Sequence, residues 1–380
     1  MGPLSPGRYF MMGNVACVEA AILAGCRFYA GYPITPSSEI FERASLRFPQ
    51  VGGCAIEMED EISSMAALVG ASYAGAKAMT ATSGPGFSLM MENIGLAFMT
   101  EAPCVIVNVQ RAGPSTGIPT LVGQGDVMQA RWGSHGDLET IAYCPSSAQE
   151  FFDLTILAFN TAERFRTPVF VLADQVVGMM WEKLVVPPQD EIEVVRRQTV
   201  DPGKMSNLPF DPELDFIPMP IAGTGCRLNV DSLTHDSKGY PSTEHFVSET
   251  LIRHLLGKIR NHARELWKWE EYMLDDAEVA VVAYGSAARS AMAAVKTLRS
   301  GGLKAGLLRP ITLWPFPDEV IDRLSKQVDT IVVPEVNFGQ LVHPVRENSE
   351  CPVIGVDWAP GTPIDPETIV DALKVVGSRA

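Results

Sequence analysis

The sequence predicts an α/β protein of two unequal units, each built on a mostly parallel sheet covered by helices and separated by a long connector. Three observations predict this. Short apolar runs alternate with stretches of helical period over about the first 180 residues. The same alternation returns over the last 100 or so. The length, 380 residues, exceeds one ordinary domain, while 46% apolar and 20% charged residues is a globular composition.

The elements follow in order. MGPLSPGRYFMMGNVACVEAAILAG lacks a basic leader and runs into a helical pattern ended by Gly25, so it reads as structure and not as a signal peptide. CRFYAGYP reads as a strand and PSSEIFERASLRF as a helix. CAIEM is a short strand, and DEISSMAALVGASYAG a helix rich in small residues. AKAMTATS is a strand, FSLMMENIGLAFMTE a helix and PCVIVNVQ a strand. After a stretch from Arg111 to Pro145 that reads as irregular, SAQEFFDLTILAFNTAERF is a helix and PVFVLAD a strand. From about Trp181 to Asn261 the pattern breaks down. This segment is too apolar for disorder and reads as an ordered, extended connector lying on another surface, such as a partner subunit. A helix from about Phe246 to Met273 closes it. EVAVVAYGS, KAGLLRP, DTIVVPEV and CPVIGVDW are the strands of the second unit, with SAARSAMAAVKTLRSGG, PDEVIDRLSKQV and DPETIVDALKVV as helices. The boundaries are 1–185, 186–270 and 271–380.

Composition excludes some functions. A formal charge of −15 argues against binding nucleic acid through its phosphates. The seven cysteines, none in a C-x-x-C, read as buried reduced thiols of a cytoplasmic protein, and this chain alone should hold neither an iron–sulfur cluster nor a structural zinc. No run of about 18 apolar residues occurs, so no membrane span is expected.

In open α/β sheets, ligands bind at the carboxyl ends of strands. Four such ends carry unusual chemistry. In GYPITPSSEI, Thr35 reads as a helix N-cap with Pro36 at the first helical position, and the free amides there suit an anion; the alternative is a plain capped helix. In EMEDE, four carboxylates fall in five residues. A solvated helix start would explain them, but Glu61 shares a helical stripe with Met65 and Leu68 and should point into apolar packing, where a carboxyl can exchange a proton near neutrality. TSGPGF is a turn whose glycines allow close backbone approach to a ligand, although it matches neither a dinucleotide nor a Walker fingerprint. QRAGPSTG places Arg111 at the end of a very apolar strand, either as the anchor of a carboxylate or in a salt bridge to a nearby acid.

Taken together, GYPITPSSEI, EMEDEISSMAALVGASYAGAKAMTATSGPG and NVQRAGPSTGIPT resemble the α subunit of 2-oxoacid:ferredoxin oxidoreductases, and look most like the 2-oxoglutarate branch. The likeness continues in TGCRLNVDSLTHDSKGYPS, YGSAARSA and LLRPITLWPFP. It implies a doubly wound thiamine-diphosphate-binding domain of the pyrimidine type, then a transketolase C-terminal-like α/β domain. It implies CoA-dependent oxidative decarboxylation of 2-oxoglutarate to succinyl-CoA, with electrons passed through iron–sulfur clusters to ferredoxin. The alternatives are the same reaction on a branched-chain 2-oxoacid or pyruvate, or a non-catalytic assembly subunit. Thiamine diphosphate would be shared with a β subunit that carries the Mg2+ and a [4Fe-4S] cluster, so this chain would be inactive alone; separate γ and δ subunits are further expected partners. By motif position, Glu61 would hydrogen-bond the aminopyrimidine ring of the cofactor as the catalytic group. Thr35 and Arg111 would face the substrate, Arg111 holding its carboxylate, with Thr35 and Gly84 beside the cofactor. His135 is a candidate pocket or partner residue, and His235 reads as an interface residue.

Overall fold

The computed structural model describes residues 2–202 and 208–377; residues 203–207 of the expected connector lie outside the described residues. The first unit runs β1 (Gly7–Met12), α1 (Gly13–Leu23), β2 (Phe28–Gly31), α2 (Ser38–Arg47), β3 (Cys54–Glu57), α3 (Glu61–Tyr73), β4 (Ala78–Thr82), α4 (Gly84–Met99), β5 (Cys104–Ala112), β6 (Ile118–Val122), α5 (Val127–Trp132), β7 (Ile141–Tyr143), α6 (Ala148–Phe165), β8 (Pro168–Asp174), α7 (Gln175–Met179) and β9 (Trp181–Val186). Then come α8 (His245–Arg260), α9 (Ala263–Leu266), β10 (Trp269–Tyr272), β11 (Val279–Val282), α10 (Gly285–Ser300), β12 (Ala305–Pro310), β13 (Thr312–Trp314), α11 (Asp318–Ser325), β14 (Thr330–Glu335), α12 (Val342–Glu347), β15 (Val353–Asp357) and α13 (Pro366–Gly377).

Every residue of β4, β5 and β8 is buried, as expected of central parallel strands covered on both faces. The first sheet has the order β13-β7-β8-β5-β4-β2-β3, with β6 antiparallel on β5; β2, β3, β4, β5, β7 and β8 run parallel. The chain steps outward from β2 to β3 and then back to β4 on the other side of β2. That reversal is a topological switch point, where helices diverge and leave a crevice. One apolar core packs α1, α2 and α6 against one sheet face. A second, containing α3 and α4 residues such as Met65, Phe87 and Ile94, runs on into the second unit through Trp314, Val333 and Leu341. The second sheet, β10-β12-β11-β14-β15, is parallel except at β10.

Several expectations change. The Arg111–Pro145 stretch is not irregular: it contains β6, α5 and β7. The helix expected over Phe246–Met273 ends at Arg260; a turn at Asn261–His262 leads to the short α9, and Trp267 and Trp269 follow a period of two into the edge strand β10. The connector does lie on another surface, but on the chain's own first unit. Arg197 pairs with Glu163 at 2.8 Å and donates to the carbonyls of Ser72 and Ala76. Lys77 donates to the Val195 carbonyl, and Arg166 to those of Pro209 and Ile217. His235, expected at an interface, is 2% exposed, with its ring nitrogens 3.0 and 3.2 Å from the carbonyls of Asp236 and Met99. Helix α8 is pinned by a buried Lys258–Glu101 pair at 2.8 Å. All seven cysteines are free; Cys17, Cys26, Cys104 and Cys144 are buried, whereas Cys54 lies exposed on edge strand β3.

Candidate active site

The crevice at the switch point is assembled from the ends of β2, β4 and β5 and the start of α3. GYPITPSSEI does not place Thr35 at an N-cap. The Ser37 N–H and hydroxyl both bond the Ile34 carbonyl (2.8 and 2.9 Å), closing a turn, so α2 starts only at Ser38. The turn leaves the Thr35 side chain exposed and turns its carbonyl toward Arg111, whose Nη1 donates to it at 2.8 Å. Arg111 Nη2 donates to the Thr116 carbonyl at 2.9 Å, and Nε is buried without a partner. The guanidinium is thus fixed by neutral carbonyls and not by a direct salt bridge, so its charge stays available. Burial lowers its pKa, while the nearby Asp126 and Glu61 charges oppose this.

Glu61 opens α3. Asp60 caps the helix, its side chain accepting from the Ser63 N–H at 2.7 Å, and this sets the rotation that turns Glu61 inward above the fully buried Met65 and Leu68. Glu61 is 4% exposed. Burial pushes its carboxyl above the usual carboxylate range; its own N–H and Arg111 work against that shift, and Asp60 adds to it. It rests against the first turn of α4. A Cβ on Gly86 would come within 2.3 Å of Glu61 Oε1 and 2.2 Å of Thr82 Oγ1, so only glycine fits there. Gly84, the glycine expected at the site, is less confined, with Asp126 Oδ2 the nearest atom to its would-be Cβ at 3.9 Å.

Above these residues opens a cavity of about 490 Å³. One side is formed by Gly84, Pro85, Arg111 and Asp126, and the other by Asn337 to Gln340, at the end of β14 in the second unit. The two sides are joined through Gln124, which is fully buried. Its Nε2 donates to Asp174 Oδ2 (3.0 Å) and to the Tyr284 carbonyl (3.2 Å), and its own carbonyl accepts from Asn337 Nδ2 (2.7 Å) and the Tyr284 hydroxyl (3.1 Å). Gln340 grips the neighbouring loop with both ends of its amide, donating to the Gly125 carbonyl at 2.6 Å and accepting from the Met128 N–H at 3.0 Å.

The structure therefore brings Arg111 to Thr35 by a hydrogen bond, to Glu61 electrostatically, and to Gly84 in the wall of one cavity. His135 stands apart, largely exposed beside Glu92. Asp126 and the Asn337–Gln340 turn went unread in the sequence, and of the two TSGPGF glycines Gly84 was singled out rather than Gly86. The strand-end rule that singled out TSGPGF applies equally to NFGQ after DTIVVPEV, and GQGD is a glycine-flanked acid of the same kind.

Comparison with known proteins agrees with this geometry. The family model described as pyruvate flavodoxin/ferredoxin oxidoreductase, thiamine diphosphate-binding, matches residues 19–252. That of pyruvate:ferredoxin oxidoreductase core domain II matches residues 277–361. The chain is 52% identical to the 2-oxoglutarate synthase subunit KorA of Methanocaldococcus jannaschii, over 89% of this chain and 90% of that one. It is 45% identical to the KorA subunit of Archaeoglobus fulgidus, over 96% and 98%. Among solved structures it resembles the 2-oxoglutarate:ferredoxin oxidoreductase from Magnetococcus marinus with 2-oxoglutarate, coenzyme A and succinyl-CoA bound, with a TM-score of 0.92 and 34% identity. The match covers 97% of this chain but 65% of that longer one.

Proposed function

Because the chain belongs to the pyruvate flavodoxin/ferredoxin oxidoreductase family and carries its thiamine-diphosphate-binding domain, we propose that it is the α-type subunit of a 2-oxoglutarate:ferredoxin oxidoreductase. The reaction takes 2-oxoglutarate, CoA and two oxidised ferredoxins to succinyl-CoA, carbon dioxide, a proton and two reduced ferredoxins. The observation that carries the reading is a buried Glu61, its carboxyl pKa raised by desolvation, near the Arg111 that lines the cavity, in a chain similar to 2-oxoglutarate synthase subunits along nearly its whole length.

The residues present fit the pyrimidine half of thiamine diphosphate. Gly86 leaves a space beside the Glu61 carboxyl that any Cβ would fill, and the Ser83 hydroxyl nearby is buried without a partner. When bound, the cofactor supplies the electron sink on which a 2-oxoacid can lose carbon dioxide. Glu61 is the chain's proton-holding group for the aminopyrimidine ring. A desolvated carboxyl suits that task, because its protonated and ionised forms are closer in energy than those of a solvated one. Arg111 binds a substrate carboxylate through the charge its carbonyl contacts leave free. Thr35, exposed and joined to Arg111 through its carbonyl, would offer its hydroxyl to the substrate, and Gly84 lets the α4 backbone approach the ligand.

The diphosphate, its Mg2+ and the [4Fe-4S] cluster are assigned to a β subunit, and the γ and δ functions to further chains. No helix among the described residues is long and apolar enough to cross a membrane; the free thiols suit a cytoplasmic setting. The test is turnover of 2-oxoglutarate, pyruvate and 2-oxoisovalerate by the purified complex with CoA and ferredoxin. The expected result is the highest kcat/KM for 2-oxoglutarate. Preference for either competitor overturns the substrate assignment, and full activity of this chain without a partner overturns the subunit assignment.

A further inference from the structure

Asp126 stands in the cavity wall with a carboxyl group that the preceding mechanism leaves unused. It is held rigidly. Its backbone N–H donates to Gln110 Oε1 at 3.1 Å, and its Oδ2 accepts from Asn108 Nδ2 at 2.9 Å. Its loop is gripped from the second unit by Gln340, which bonds Gly125 just before it and Met128 two residues after it. Among the described residues, Asn108 is the only side chain that hydrogen-bonds the Asp126 carboxyl. The cation beside it in the same cavity wall is Arg111.

The charges around it are few. Arg111, on β5, is the charged group acting on Asp126. Tyr284, at the head of α10, feels the Asp126 charge from beneath. Glu61 acts on Arg111, and Glu335 and Asp174 act on Tyr284, and so reach Asp126 at second hand. The Arg111 charge is the one positive charge in this group, and two carboxyl groups of the chain already draw on it. A substrate carboxylate entering the cavity would be a third. Like charges confined together in a desolvated space disfavour double ionisation, and one of them takes up a proton. Once protonated, a carboxyl gains an O–H and can donate to the carboxylate that displaced it.

We propose that Asp126 is a specificity-determining residue of this site: its carboxyl competes with the substrate carboxylate for the Arg111 charge, so that binding of the 2-oxoacid is coupled to uptake of one proton by Asp126. The inference rests on the function proposed above. The proton balance closes over a cycle. Asp126 takes a proton from solvent as the anion binds and becomes a hydrogen-bond donor to it. When the carboxylate leaves as carbon dioxide, the competing charge is gone; Asp126 returns the proton and again becomes the counter-ion of Arg111. Burial also raises the Asp126 pKa, more than its Asn108 hydrogen bond and Arg111 lower it, which favours the uptake. The arrangement selects for a ligand that is anionic at the position opposite Arg111, since a neutral ligand would leave Asp126 ionised and paired.

The test uses the assembled complex and measures kcat and KM for 2-oxoglutarate from about pH 6 to 8.5, where the free carboxylates of the substrate are ionised. In the unsubstituted enzyme KM rises with pH, by up to about tenfold per unit once Asp126 is ionised in the free enzyme. Asp126→Asn keeps the shape and a donor but cannot titrate. Its KM is flat with pH and lies several-fold below that of the unsubstituted enzyme at the alkaline end, and the change falls on KM more than on kcat. Asp126→Ala is also flat, but with a higher KM than the Asn variant because the donor is gone. A KM for Asp126→Asn that keeps the original slope overturns the proposal, as does a pH-independent KM in an unsubstituted enzyme that turns over 2-oxoglutarate. An unsubstituted complex with no 2-oxoglutarate turnover overturns the underlying function instead. Should the variants fail to assemble, calorimetry of the unsubstituted complex with glutarate, in buffers of different ionisation enthalpy, reads the proton count directly. About one proton taken up is expected; none taken up overturns the coupling.

Discussion

Arg111 and Thr35, 76 positions apart in the chain, meet in one hydrogen bond: the guanidinium Nη1 donates to the threonine carbonyl at 2.8 Å. This contact ties the turn after β2 to the end of β5 and fixes the arginine without neutralising it. Arg111→Lys is expected to raise KM for the 2-oxoacid about 10- to 100-fold, the value of one or two charge-assisted hydrogen bonds. A single ammonium cannot hold the Thr35 and Thr116 carbonyls and a substrate at the fixed angles of the guanidinium fork. Steady-state kinetics of the complex check this, and an unchanged KM would remove Arg111 from the substrate's path.

In its proposed role, Glu61 would set stability against activity. Its pKa in the folded chain is raised above the unfolded value, so the protonated form is the one the fold favours. The penalty is absent below the unfolded value of about 4.3 and grows as pH rises toward and through the folded pKa. Glu61→Gln should therefore raise the thermal midpoint at pH 7 and not at pH 4, while lowering kcat by about 100-fold or more. Scanning calorimetry at the two pH values, with turnover assays, measures both sides. Full turnover in this variant would strip Glu61 of its role.

Gly86→Ala drives a methyl to 2.3 Å from Glu61 Oε1 and must displace the carboxyl. We expect kcat to fall on the order of 100-fold, as for a misplacement of about 1 Å at a reacting group. Gly84→Ala meets its nearest atom only at 3.9 Å and should cost much less. Equal losses from the two substitutions would contradict the assignment of Gly86 as the support for Glu61.

Gln124→Ala removes a fully buried side chain, takes one donor each from the Asp174 carboxylate and the Tyr284 carbonyl, and removes the acceptor of the Val336 N–H. A loss of about 3 kcal/mol in unfolding free energy is expected from urea titration. Because Gln124 lies just before the Asp126 loop, KM should rise as well. A purely structural role would leave KM untouched in the fraction that folds.

The buried Glu101–Lys258 pair fastens α8 to the first unit, with His254 and Arg166 beside it. Removing one partner, as in Glu101→Leu, should cost about 3–5 kcal/mol, and the double change Glu101→Leu with Lys258→Met should cost less than that single one. The Lys258 charge holds the Glu101 carboxyl well below the usual carboxylate range, against the opposing effect of its burial. Its contribution is therefore full above the unfolded value of about 4.3 and is lost as pH falls through the depressed folded one. Acid unfolding monitored by circular dichroism, shifted to higher pH in Glu101→Leu, would bear this out.

The alternation of the two units was legible because covered parallel strands are continuous apolar runs, and α3 because Glu61, Met65 and Leu68 share a stripe. Thr35 was placed correctly at a strand end but misread as a cap, since Ser37 bonds backward to Ile34 and local propensity does not reveal that turn. The three-residue β7 was invisible because its apolar run is too short to show a period, and it is defined by partners far along the chain. The second wall of the cavity was missed for a related reason. NFGQ carries no strong motif, and only the packing of β14 beside the Gln124 loop brings it to the site.

β13 belongs by sequence to the second unit, flanked by β12 and β14, yet it pairs antiparallel with β7 at the margin of the first sheet. The two units are thus laced together and are not separate cassettes. A chain cut near residue 270 would leave β7 with an open edge of unpaired backbone, ready to recruit any passing strand. Modular exchange of the second unit among relatives would have to carry β13 and its register along, so the lacing constrains how such chains can be recombined.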